Sequence, residues 1–97
     1  MSACAMLSYN NVTAAAFDCC KAAAAKYGMT INSNSGSGTK DGFTVAWNYN
    51  PRAQTLTLQC TDSPWWATCS MINGRINDAV EGCLSSNKVN LSPMTED

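Results

Sequence analysis

The chain has 97 residues, of which 45% are apolar, enough for one modest core, so a single domain over 1–97 is expected. No stretch approaches the roughly 18 apolar residues of a membrane-spanning helix. Six Lys and Arg against seven Asp and Glu leave a net charge of −1, with no basic field to gather nucleic acid. Histidine is absent, which removes His-dependent triads, His metal sites and the imidazole pH switch.

Charged residues make up 13%, about half the usual share for a soluble protein. Asn, Ser and Thr must therefore supply most of the polar surface. That composition and an even count of six cysteines fit an oxidising, secreted or periplasmic setting, where disulfides persist. Against this, Met1-Ser2-Ala3 lacks a basic n-region, and the apolar run from Ala3 to Leu7 is too short for a signal peptide. A start methionine can stand where a signal has been removed, so secreted, periplasmic and cytoplasmic settings all stay open.

Residues 1–10 read as a lead-in segment, with an alternation from Cys4 to Tyr9 that can form an extra strand. From Asn11 to Tyr27 the pattern predicts a helix, with Asn11 as cap, an alanine-rich interior and Gly28 just past the end. Val12, Ala16, Cys20, Ala23 and Tyr27 share its apolar stripe. Met29 to Asn32 alternates as a short strand, and 33–42, rich in Ser and Gly, reads as a flexible loop.

The strongest local signal is a hairpin. Phe43, Val45, Trp47 and Tyr49 alternate with polar residues, as do Leu56, Leu58 and Cys60 after the turn Asn50-Pro51-Arg52-Ala53. With Asn50 facing Ala53, Trp47 is expected opposite Leu56, Val45 opposite Leu58 and Phe43 opposite Cys60. Ser63-Pro64 is a cap followed by proline at the first helical position, which predicts a second helix to about Ser85. Trp65, Cys69, Ile72, Ile76, Ala79, Val80 and Cys83 share its stripe, and 87–97 reads as a polar tail. The expected fold is α+β, a two-layer sandwich of order α-β-β-β-α, with an antiparallel sheet and both helices on one face.

Six cysteines allow fifteen pairings. Cys20, Cys60, Cys69 and Cys83 also fit as buried apolar fillers, without any bridge. If bridges form, Cys60 with Cys69 is the preferred pair and Cys4 with Cys19 or Cys20 the next; adjacent Cys19 and Cys20 cannot comfortably bond each other. No Cys-x-x-Cys knuckle or histidine supports a zinc site or a catalytic thiol, and the carboxylates are scattered. The glycines of 35–40 lead into a strand rather than a helix, so they do not make a phosphate loop. No metal, cofactor or catalytic residue is expected.

Two surfaces invite a role. The last strand, with Thr55, Thr57 and Gln59, carries none of the devices that protect a sheet edge, and Trp66 borders the second helix's buried stripe. These point to an assembly module that associates with itself or with another protein through the edge or through the uncharged Thr/Asn sheet face. The alternative is a small carrier of an apolar ligand, bound between helices and sheet by Phe43, Trp47, Tyr49, Trp65 and Ile72. A thiol-handling protein or enzyme is the third reading.

Overall fold

The computed structural model describes residues 3–91. Four strands and two helices follow in the order β1 (Leu7–Tyr9), α1 (Ala14–Lys26), β2 (Ser35–Lys40), β3 (Phe43–Asn50), β4 (Thr55–Asp62) and α2 (Cys69–Leu91). The strands form one antiparallel sheet in the spatial order β1-β4-β3-β2. Phe17 and Cys20 of α1 and Val80 and Cys83 of α2 share a core with Trp47, Tyr49, Leu56 and Leu58, so both helices cover the same sheet face. The α+β sandwich is as expected, with one strand more. Among the described residues no helix is long and apolar enough to cross a membrane.

The lead-in segment supplies that strand. Leu7, Ser8 and Tyr9 pair with Leu58, Thr57 and Leu56, so β4 is an interior strand and its amides are taken within the chain. This corrects the expectation of a self-associating edge at Thr55, Thr57 and Gln59. Gln59 further donates its side-chain amide to the Cys4 carbonyl at 2.8 Å, tying down the segment that leads into β1.

Within the segment expected as a flexible loop, 33–42, residues 35–40 form β2, while 29–32 is not a strand. Asp41 (φ 54°) and Gly42 (φ 87°) form the two-residue left-handed turn that matches strand twist and joins β2 to β3. Glycine in β2 has a packing reason. A Cβ at Gly36 would meet Trp47 Cζ2 at 3.0 Å, and one at Gly38 would meet Met29 Sδ at 3.2 Å. The indole of Trp47 lies across β2 and donates its N–H to the Ser33 carbonyl at 3.0 Å.

The β3–β4 hairpin keeps its expected faces, but its register is shifted by two. Trp47 pairs with Leu58, Tyr49 with Leu56 and Val45 with Cys60. The cause is loop length. Asn50 Oδ1 accepts from the backbone of Arg52 and Ala53, and Gln54 adds a residue at φ 58°, so Asn50 closes on Thr55 rather than on Ala53. An even shift leaves every side chain on its own face.

Helix α1 begins later than expected, with Thr13 rather than Asn11 as its cap, Thr13 Oγ1 accepting from Ala16 N. It ends in a Schellman arrangement: Gly28 N donates to Ala25 and Met29 N to Ala24, with Gly28 at φ 83°. Tyr27, expected on the buried stripe, is exposed, whereas Phe17 is buried and stacks on Tyr49 at 4.2 Å.

Helix α2 does not start at Ser63-Pro64. Residues 63–68 are irregular, and Thr68 caps the helix by accepting from Met71 N at 3.2 Å. Trp65 is therefore off the helix and 88% exposed, not in the core. The helix continues to Leu91, past the point where the polar tail was expected, and the rest of that tail lies outside the described residues.

Two disulfides fasten α2, one to the N-terminal segment and one to α1. Cys4 pairs with Cys69 and Cys19 with Cys83, while Cys20 and Cys60 are buried thiols. The expected Cys60–Cys69 pair, and Cys4 with Cys19 or Cys20, are thus corrected. The cause is β1: it lays the N-terminal segment along β4, with Cys4 N donating to the Cys60 carbonyl, and brings Cys4 to the start of α2. Two further bonds follow the same face of α2, Asn73 Nδ2 to the Ala5 carbonyl and the Tyr9 hydroxyl to Asn77 Oδ1.

Candidate functional site

Helix α2 is fixed at two points, Cys69 and Cys83, fourteen residues or about 21 Å apart along a helix. Between them, two adjacent rows of side chains face inward. Ile72, Ile76 and Val80 form the deeper row, and Met71, Arg75 and Ala79 the outer one, each at the four-residue spacing that stacks side chains along a helix. Opposite them stand Phe17, Cys20, Ala23 and Ala24 of α1. The short alanine side chains leave the space between helices and sheet unfilled. The result is a cleft of about 440 Å³.

Its floor is the inward sheet face: Val45, Trp47, Leu56 and Leu58. Met29 and Ile31, which follow α1, also line it, as does Phe43 against Trp66, edge to face at 5.7 Å. Lys40, Asp41 and Arg75 alone among the lining residues carry charge, and all three are exposed at the mouth. Tyr27, Trp66 and Met71 complete an apolar rim.

Of the residues expected to line a pocket, Phe43, Trp47 and Ile72 do so. Tyr49 does not; it is packed against Phe17, and its hydroxyl donates to the Val12 carbonyl at 2.7 Å. Trp65 points to solvent, and Trp66, expected as an interaction residue, takes a place in the lining. Lys40, Arg75, Met29 and Ile31 were not expected there. The alternation of Met29 and Ile31 marked an inward face, although it belongs to an irregular segment rather than a strand.

The floor offers little polar chemistry. The Trp47 N–H is already bonded to Ser33. Burial pushes the Cys20 thiol up to about 11, so it stays protonated at neutral pH and serves as an apolar filler rather than a nucleophile. Burial also raises the Cys60 thiol. Among the described residues no group of three Cys, Asp or Glu side chains comes together to hold a metal ion.

These shifts make stability depend on alkaline pH. An unfolded thiol ionises near 9.0, whereas folded Cys20 keeps its proton to about 11. Between those values the unfolded chain binds fewer protons, so stability falls as pH rises. Cys60, Tyr9 and Tyr49 act in the same direction, since burial raises each of them. Urea unfolding midpoints are expected to be level below about pH 9 and to decline above it, with a shallower decline in Cys20→Ala. An unchanged slope in that variant would place the titration elsewhere.

The remaining interaction candidates, Thr55, Thr57 and Gln59, lie on the sheet face away from the helices, with Thr44, Ala46 and Asn48. That face carries Asp62 at its end, opposite Thr44, is otherwise uncharged, and is laced by its own contacts, such as Thr39 Oγ1 with Thr44 Oγ1 at 2.8 Å. Comparison with protein-family models, with curated proteins and with solved structures gives no match for the chain.

Proposed function

We propose that the protein is a small carrier that takes up an apolar small molecule in the cleft between its helices and its sheet. The observation that carries this reading is a preformed volume of about 440 Å³ whose depth is apolar and whose charges all lie at the mouth. Small-molecule sites typically span roughly 300–1,000 Å³ and are lined in this way. Each methylene moved from water into such a floor contributes about 0.8 kcal/mol. The two bridges holding α2 support the same reading, because a wall fixed in advance lowers the ordering cost of binding.

Ala79, in the outer row of α2, gives the test. Decanol titrated into the protein is expected to alter the tryptophan fluorescence, since Trp47 and Trp66 both line the cleft. Ala79→Phe should fill the space, weaken binding at least tenfold and leave the circular dichroism spectrum unchanged. Equal binding by this variant and the parent would mean that the ligand sits elsewhere, and the reading fails.

A second reading, contact with another copy or another protein, is favoured by the exposed aromatic rim. Trp66 is 58% exposed and lies on the rim with Met71 and Tyr27, and Trp65, next to it in the chain, is 88% exposed outside the lining. Sedimentation separates the two readings. A Trp65→Ser variant that converts a dimer to a monomer favours the contact, and a parent protein that is monomeric at high micromolar concentration favours the carrier.

A further inference from the structure

We propose that the cleft's ligand is an anionic amphiphile, its acidic head held at the mouth by Lys40 and Arg75 with its apolar chain lying over the floor. This rests on the carrier reading above and names the class of ligand. A purely apolar molecule would need no charge at the mouth, and a polar group at the deep end would meet only hydrocarbon, a thiol and an indole whose N–H is already bonded. The head must therefore lie at the rim, where two cations face one carboxylate, Asp41.

Both cations are placed rather than merely nearby. Lys40 ends β2 and pairs with Phe43 across the Asp41-Gly42 turn. Its methylenes lie over Gly28, close enough that a Cβ there would meet Lys40 Cε at 2.8 Å. Gly28 thus serves two ends, closing α1 with a left-handed residue and seating the lysine stem beside the cleft. Arg75 stands between Met71 and Ala79 in the outer row of α2, one helical turn from each, so it borders the mouth from the other wall. Among the described residues neither Lys40 nor Arg75 makes an ion pair; the one at 3.1 Å joins Asp18 and Lys21 on α1. An acidic head therefore has two cations to meet without displacing a partner.

Three probes with the same ten-carbon chain separate charge from apolar burial: decanoate, decanol and decyltrimethylammonium, the two ions titrated below their micelle concentrations and the alcohol below its solubility limit, at about pH 8. Decanoate is expected to bind about fivefold more tightly than decanol, the size of effect that two exposed charge contacts give. The preference should shrink as salt is raised, because rim charges are screened. Lys40→Gln with Arg75→Gln should bring the ratio of decanoate to decanol affinity down to about one, whatever happens to decanol binding itself. Both side chains are exposed, so the fold is expected to tolerate the pair. Equal binding of decanoate and decanol by the parent protein, or a preference for decyltrimethylammonium, overturns the anionic head and leaves the carrier reading standing. If none of the three binds, both fall.

Discussion

Replacing Cys19 and Cys83 together by alanine is expected to lower stability by about 3.5 kcal/mol. The two bridges interleave along the chain, since Cys4–Cys69 and Cys19–Cys83 each span more than sixty residues and overlap. With Cys4–Cys69 intact, the second bridge closes a shorter effective loop of about 30 residues, and the loop-entropy relation gives a value near that figure. For a domain whose total stability is about 5–10 kcal/mol, this is a large share. Urea unfolding measures it directly. Cys20→Ala and Cys60→Ala are the controls, because those thiols are buried fillers and should cost far less. Denatured protein should take up two alkyl groups before reduction and six after it. A loss below about 1 kcal/mol, or six alkylated thiols without reduction, would contradict the pairing.

Trp47→Ala is expected to cost about 3–5 kcal/mol, in the range of large aromatic deletions from a core. Trp47 is 6% exposed, forms the cleft floor, covers Gly36 and donates to Ser33. Its removal takes away the partner surface of β2, whose Ser/Gly sequence has little side chain of its own to bury. The edge strand should therefore lose protection first, with faster amide exchange at 35–40 than in β3 and β4. A cost below about 1.5 kcal/mol with β2 exchange unchanged would mean that β2 is held by something other than the indole.

The faces of β3 and β4 and the inner row of α2 were legible in the sequence, because both rest on periodicity that packing then uses. Trp47 fell on the helix-facing side and Ile72 in the cleft wall as expected. Register was not legible, since the loop takes in two further residues, Ala53 and the left-handed Gln54, and an even insertion leaves the alternation undisturbed. Strand β2 was hidden by its composition, although Asp41-Gly42 between Lys40 and Phe43 is itself a strong hairpin signal. Its glycines marked the footprint of an indole rather than a mobile loop.

The start of α2 misled for a different reason. Ser63-Pro64 has the local chemistry of a helix start, but Thr68 caps the helix instead, and a Cβ at Gly42 would meet Pro64 Cγ at 3.2 Å. The proline is thus close to the β2–β3 turn, and the intervening tryptophans are left off the helix. The bridges were the least legible of all, because Cys4 reaches Cys69 only once β1 has paired with β4. The cleft depends on the same step. Its walls are read from α1 and α2, but the space between them is set by tertiary anchors at Cys69 and Cys83.

The central claim is that an apolar ligand lies between the helices and the sheet, and intermolecular nuclear Overhauser effects test it most directly. With isoleucine, alanine and methionine methyls labelled and decanol added, contacts are expected from the ligand chain to Ile31, Ile72, Ile76 and Ala79. Exposed Met6, outside the cleft lining, should show none. Contacts confined to exposed methyls such as that of Met6, or no intermolecular contact at saturating decanol, would contradict the account.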